Sequence, residues 1–178
     1  MALSENAKEW IKDIALAIII AAVILVFIKP TIVREHSMEN TLQDGDYLFV
    51  SRQTYKLFGK DPKRGDIIVF RSDIEGAHGN NKLLIKRVIG VPGDEIVISG
   101  GMVFINGEAL YETYTKDGYT SYDMDALTVP EGGYFCMGDN RQNSTDSRDP
   151  RVGFVTKDRI MGKAVFRLFP FSKIGTLH

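Results

Sequence analysis

The chain has one cysteine, Cys136, among 178 residues, so it can form neither an internal disulfide nor a thiolate cluster for structural zinc. Histidine is also scarce. His36, His78 and His178 fall in a junction, a Gly/Asn-rich loop and the last position, which is poor material for a metal site, and neither a metal nor another cofactor is expected. An excess of one charge is missing too, with 22 basic residues against 23 acidic ones and a formal net charge of -1. With no polybasic block either, no field is present to gather nucleic acid. Apolar material is plentiful at 44% of the residues, enough for one well-packed domain or for one domain plus an anchor.

That apolar material is unevenly spread. From Ile14 to Ile28 every residue is apolar, and a run of about fifteen rises about 22 Å as a helix, against a hydrocarbon core of about 30 Å. Trp10 and Ile11 lengthen it, Lys12 and Lys29 can snorkel at the two ends, and Trp10 suits an interface. A tight single transmembrane helix in a lipid bilayer is therefore expected within residues 1–30. A cleaved secretory signal would be followed by small residues, whereas Lys29, Pro30, Thr31, Ile32 and Val33 follow here, which favours a retained anchor. Pro30 should end the helix near the membrane surface. Orientation stays open, because Lys8 and Lys12 on one side balance Lys29 and Arg34 on the other.

Beyond the anchor the pattern turns alternating and β-rich. Residues 46–52, 65–71 and 83–89 read as strands, preceded by turn formers such as Asp44-Gly45 and Lys63-Arg64-Gly65. Residues 95–99 and 102–105 flank Gly100-Gly101, and Asn106-Gly107 follows, so two consecutive hairpins are expected. Leu110 to Asp125 has no convincing period, and 100–130 is read as a small inserted subdomain. Late strands at 134–137 and 160–168 must pair with early ones across a large sequence separation. The expected product over 31–178 is a mainly β, antiparallel, barrel-like domain behind one N-terminal transmembrane helix.

Two residues in this frame carry possible chemistry. Strand alternation puts Leu84, Lys86 and Val88 on one face. An ammonium wedged among aliphatic side chains loses hydration, which lowers its pKa from about 10.4 and makes the neutral amine a general base. An edge strand with a snorkelling lysine accounts for the same segment without chemistry. Ser37 lies about nine residues beyond the apolar run, a reach of only about 30 Å, so it is tethered near the bilayer surface. Its neighbour His36 should point to the opposite side of an extended segment, and His78 sits in a loop too mobile for a preorganised base. By elimination Lys86 is the best-placed base, giving a serine/lysine dyad.

Residues 137–148, Met-Gly-Asp-Asn-Arg-Gln-Asn-Ser-Thr-Asp-Ser-Arg, are dense in donors, acceptors and charges directly after an apolar strand end. Alone they could be a solvated turn. In order, Ser37-Met38 with Thr41-Leu42, Gly45-Asp46, Gly65-Asp66, Lys86 to Asp94, Gly138-Asp139-Asn140-Arg141 with Ser144 and Asp146-Ser147-Arg148, and Gly162-Lys163-Ala164 resemble the successive signature boxes of bacterial type I signal peptidases. The boxes around Lys86 and from Gly138 to Arg148 are long and specific. The resemblance implies the fold shared by signal peptidases and self-cleaving repressors. It also implies a serine endopeptidase of the bacterial cell membrane, single-pass, with a cytoplasmic N-terminus and an extracytoplasmic catalytic domain. Its partners would be signal peptides of exported preproteins, the lipid bilayer and a nearby secretion translocon.

Residue by residue, the resemblance makes Ser37 the nucleophile and Lys86 the general base. It makes Ser144 the serine that orients the lysine, Asp146 and Arg148 a supporting charged pair, and Asp139 and Arg141 braces of the same loop, with Arg87 beside them. The Ser37 backbone N–H should contribute to the oxyanion hole. Small substrate side chains would enter shallow apolar pockets, for which Met38, Ile32 and Leu84 are the candidate lining. Phe166, Phe169 and Phe171 could meet lipid, although core packing is expected for most of them. Two departures stand out. Glu35 occupies a position where many relatives have Ser or Gly; its carboxylate would oppose a developing oxyanion if it pointed inward, and it is expected to point to solvent. Asn40 replaces the family's usual proline after the nucleophile. Two other readings remain: a self-cleaving repressor, which would need a DNA-binding module where this chain has an apolar run, and a membrane-tethered, catalytically weak β module that binds signal peptides or secretion machinery.

Overall fold

A computed structural model of the chain describes residues 5–55, 59–76 and 79–177, without the side chains of 5, 7 and 23–26. His78 and His178 therefore lie outside the described residues. The apolar run forms helix α1, Glu5–Phe27, which stops three residues before Pro30. The proline ring and its missing N–H bar further helix, and the chain passes directly into strand β1, Ile28–Ile32. Trp10, Ile14, Leu16, Ile18, Ile19 and Ile20 are each more than half exposed, so α1 carries apolar surface around its whole circumference. Among the described residues, no helix is long and apolar enough to cross a membrane.

The remainder is antiparallel sheet. β2 (Tyr47–Ser51), β3 (Ile67–Glu75), β4 (Asn81–Gly90), β9 (Gly133–Met137), β10 (Val155–Thr156), β11 (Ile160–Phe169) and β12 (Gly175–Thr176) join β1 in an eight-stranded sheet ordered β1-β2-β11-β3-β4-β9-β10, with β12 on β11. β5 (Glu95–Ser99), β6 (Met102–Ile105), β7 (Glu108–Ala109) and β8 (Met124–Thr128) make a four-stranded sheet in the order β7-β6-β5-β8. The late strands insert among the early ones. Lys163 of β11 is opposite both Ser51 and Ile68, and Cys136 of β9 is opposite Val88. The Gly100-Gly101 and Asn106-Gly107 turns join β5, β6 and β7 as two hairpins.

The barrel expected from the alternating pattern does not close. The larger sheet ends in β1, which carries Pro30 and so lacks one donor, and in the two-residue β10, and these two do not pair. Nor are the C-terminal aromatics mostly core. Phe166 stacks on Phe49 and is half-buried, but Phe169 is 45% and Phe171 73% exposed. Tyr47, Phe169 and Phe171 pack edge to face on one another at the sheet surface.

Apolar residues gather in three clusters on the two sides of β4. Leu84 and Val88 join Ile68, Phe70 and Cys136 in one, Ile89 packs with Ile96, Ile98 and Phe135 between the two sheets, and Ile85 packs against Met38, Leu42 and Leu48 in the third. β4 is thus enclosed by apolar side chains on both faces, which determines the environment of the lysine it carries.

Gly162 lets β11 approach β2, because a Cβ there would collide with the Ser51 carbonyl oxygen. Gly162→Ala is expected to lower stability by about 1–3 kcal/mol in denaturant unfolding, through displacement of backbone rather than loss of a contact.

Candidate active site

Ser37 follows a turn that leaves β1 and is tied to the start of β2: Val33 N–H donates to Asp46 O, and Gly45 N–H donates to Val33 O. Within that turn Glu35 takes φ +86°, a left-handed conformation uncommon for a residue with a Cβ, and its amide donates to Asp44 Oδ1 at 3.1 Å. Its carboxylate does not simply face water, as expected, but forms an ion pair with Lys82 of β4. Beyond Ser37 the chain curls, with Leu42 N–H donating to Met38 O. Asn140 clamps the segment from above. Its N–H donates to Ser37 O at 3.1 Å and its Nδ2 to His36 O at 3.0 Å.

Lys86 comes from the middle of β4, between Leu84 and Val88 on one face, and is 1% exposed. Its Nζ donates to Ser37 Oγ at 2.7 Å and to Ile85 O at 2.9 Å. Burial pulls its pKa down from 10.5 to about 8, against the opposing attraction of the Asp146 and Glu35 carboxylates. His36 is turned elsewhere: its Nδ1 lies 2.6 Å from Glu39 Oε1, and Lys116 Nζ donates to Glu39 Oε2 at 2.8 Å.

The flanking polar groups form two buried arrays. Next to Lys86, Arg87 makes a bidentate pair with Asp139, Nε to Oδ1 at 2.9 Å and Nη2 to Oδ2 at 2.8 Å, while Nη1 donates to Gly65 O. Thr41 Oγ1 donates to Asp139 Oδ2 at 2.5 Å, and the guanidinium lies 4.0 Å over the Tyr114 ring. In the second array, Asp146 accepts from Gly138 N–H at 3.0 Å and from Arg148 Nε and Nη2, both at 2.8 Å. Burial pushes the Asp146 carboxyl up, but Arg148 and the Gly138 amide outweigh it, and the net shift is downward. Arg148 also donates to Arg141 O, Arg141 Nε donates to Gly138 O, and the rest of the Arg141 guanidinium is held by Glu112 and Thr120.

Ser144 Oγ is buried and helps hold the Asp146 carboxyl down, yet it meets full hydrogen-bond geometry with no described residue. Instead of bonding Lys86, it flanks Gly138 together with Ser37 O, so closely that a Cβ at Gly138 would collide with both.

A cleft of about 270 Å³ opens onto Ser37 and Lys86. One wall is β1 and the segment to Met38, the other is residues 83–86 of β4, and Val50, Val69 and Met161 lie between. Ile32, Met38 and Leu84, the candidate pocket residues, all line it. Neither wall has a strand partner on the cleft side among the described residues. β1 ends the sheet, and β9 pairs with β4 only from Arg87 onward. The described residues contain no group of His, Cys, Asp and Glu able to hold a metal ion.

The family model described as "Signal peptidase, peptidase S26" matches residues 7–169. The chain belongs to that signal peptidase family. It is 38% identical over 176 residues to Signal peptidase I of Bacillus licheniformis, covering 93% of this chain and 90% of that one. It is also 38% identical over 179 residues to Probable signal peptidase I-2 of a Synechocystis species, covering 98% and 80%. A crystal structure of a signal peptidase I from Enterococcus faecalis shares 36% identity and covers 58% of this chain and 97% of that one, with a TM-score of 0.48. As a member of this family, the protein is a serine peptidase and a hydrolase.

Several groups around this candidate site escaped the sequence reading. Glu112 and Thr120, which grip Arg141, lie in the aperiodic stretch after Leu110, and no pattern singled them out. Lys82 lies just outside the strand read at 83–89 and drew no reading, and Asn140 looked like part of a turn. The signal available for Asn140 was its place inside the long box after β9.

Two stability changes follow. Asp139→Asn leaves the buried Arg87 guanidinium without its counter-charge and is expected to cost on the order of 3 kcal/mol in chemical denaturation. Lys86→Met should act in the opposite direction. With the folded-state pKa at about 8 and the ordinary value at 10.5, the unfolded chain holds the extra proton between those limits, so wild-type stability rises with pH through that window. Near neutral pH the buried ammonium costs about 3 kcal/mol. Lys86→Met should therefore raise the thermal unfolding midpoint at pH 7 and flatten its rise toward pH 10.

Proposed function

We propose that this protein is a membrane-anchored serine endopeptidase that removes N-terminal signal peptides from exported preproteins, with Ser37 as nucleophile and Lys86 as general base. The observation that carries this reading is the 2.7 Å hydrogen bond from Lys86 Nζ to Ser37 Oγ inside an apolar enclosure. The neutral amine accepts the hydroxyl proton as Oγ attacks the scissile carbonyl. Lysine then returns that proton to the leaving amine, and water, activated by the same amine, hydrolyses the acyl-enzyme. The Ser37 backbone N–H stabilises the oxyanion. Ile85 O orients the lysine amine beside Ser37, and the Asp146–Arg148 pair fixes the loop that carries Ser144.

The two unpartnered strand edges that bound the cleft suit an extended peptide, which can hydrogen-bond along β1 and residues 83–85 while alternate side chains enter the apolar floor. A volume of about 270 Å³ shared by two alternate side chains favours small ones. Membrane anchoring is supported by the exposed apolar circumference of α1 and by Tyr47, Phe169 and Phe171 on the sheet surface. The names of the relatives support signal peptides as substrates. In this reading the N-terminus is cytoplasmic, the β domain is extracytoplasmic, and the cut lies within reach of a secretion translocon.

The test is cleavage of a labelled preprotein by the full chain in detergent between pH 6 and 10. Activity should rise with pH through about 8, where Lys86 loses its proton. Ser37→Ala should fall to background. Lys86→Arg, which keeps the charge and cannot accept a proton at these pH values, should lose at least about a hundredfold. Activity retained by Ser37→Ala would overturn the assignment.

A further inference from the structure

Glu35, which lines the cleft on the segment leading to Ser37, forms an ion pair with Lys82, the residue just before the cleft-lining part of the strand that carries Lys86. Both side chains are well exposed, at 44% and 38%, and an ion pair this exposed contributes little to stability. Its position matters more. Glu35 lines the cleft two residues before Ser37, and its φ of +86° and the amide bond to Asp44 Oδ1 fix its backbone there. An unpaired carboxylate at that point works against the reaction twice. It repels the negative charge that develops on the reacting carbonyl oxygen, and it attracts a proton to Lys86.

We propose that Lys82 is a positioning residue for the reaction at Ser37: paired with Glu35 beside the cleft, it holds that carboxylate away from the reacting carbonyl and cancels its charge beside Lys86. The inference rests on the peptidase mechanism proposed above. Lys82, Leu84 and Lys86 alternate along one face of β4, so the two ammonium groups share a side of the strand. Glu35 and Lys82 act on Lys86 in opposite directions: Glu35 favours the protonated Lys86 and Lys82 disfavours it. The other charged or titratable groups facing Lys86 are already accounted for. Asp146, from the loop after β9, also favours the protonated Lys86 but is buried and fixed in place by Arg148, and the Cys136 thiol on β9 is kept protonated by burial. The Glu35–Lys82 pair is thus the adjustable charge at the cleft mouth.

The experiment is a charge cycle on the full chain, measuring kcat and KM for a labelled preprotein from pH 6 to 10 in wild type, Lys82→Met, Lys82→Arg, Glu35→Gln and the double variant, with Ser37→Ala as control. Lys82→Met should lower kcat about five- to tenfold near pH 7.5 and move the rising limb to higher pH by up to about one unit. Lys82→Arg, which keeps the charge, should behave as wild type. Glu35→Gln should move the limb to lower pH, and adding it to Lys82→Met should bring kcat back to within about twofold of wild type. Three results would overturn the proposal: an unchanged limb in Lys82→Met, no recovery in the double variant, or a fall in KM at constant kcat, which would make the pair a mere obstacle to substrate. An inactive wild type or an active Ser37→Ala would instead overturn the mechanism on which it rests.

Discussion

A lysine ammonium held out of water is the costly element on which the other features of this site depend. Lys86 sits at 1% exposure between Leu84 and Val88, and burial alone accounts for the direction of its shifted pKa. Such a group persists only if its surroundings are fixed. They are fixed here because β4 has β3 on one edge, β9 on the other from Arg87 onward, and apolar clusters against both faces. The third hydrophobic cluster contains Met38 and Leu42, which flank the turn after Ser37, so the hydroxyl and the amine belong to adjoining parts of one core. Their 2.7 Å separation follows from packing across a sequence distance of 49 residues.

The polar arrays extend that fixation where apolar packing cannot. Loop 138–148 has little to bury, and a loop beside a desolvated amine would admit water if it moved. Arg87–Asp139 on one side and Arg148–Asp146 on the other are buried pairs with nearly all their donors and acceptors engaged, the condition under which buried charge is tolerated. Arg141 links them to the aperiodic segment through Glu112 and Thr120, so a stretch without sequence pattern becomes part of the support. Buried Asp146 also acts electrostatically, since its charge limits how far the lysine pKa can fall.

The legibility of the sequence follows from these forces. β2, β5, β6 and β11 alternate in burial and declare one buried face, whereas β3, β4 and β9, buried on both faces for most of their length, were legible as apolar runs between turn formers. β1 was hidden, since its first residue, Ile28, is the last of the apolar run and Pro30 sits in its middle, so no alternating pattern marks where helix gives way to strand. β8, β10 and β12 are too short or too exposed to leave a pattern. Sheet closure was misjudged because alternation specifies which face is buried and says nothing about whether the two end strands meet. Core packing was expected for most of Phe166, Phe169 and Phe171 on hydrophobicity alone, which cannot register that Phe169 and Phe171 stay exposed at and beyond the end of β11. In the candidate site, Ser37 and Lys86 were legible from alternation and elimination, and the loop residues from resemblance. Lys82 was not, because its partner Glu35 lies 47 positions away in the sequence and their meeting depends on the curl of the sheet.

That curl connects the fold to the proposed chemistry. β1 and β4 are separated in the sheet by β2, β11 and β3, yet they form facing walls of one cleft. A sheet that curled further would join their edges, satisfy their backbone groups and seal Ser37 inside a barrel. A flat sheet would carry Ser37 away from Lys86 and hydrate the amine. The intermediate curvature keeps Lys86 dry from the core side while leaving two unpaired strand edges at the surface, the form of edge that an extended chain can complete. The unclosed seam of the sheet is therefore the place where a peptide substrate would supply the missing strand.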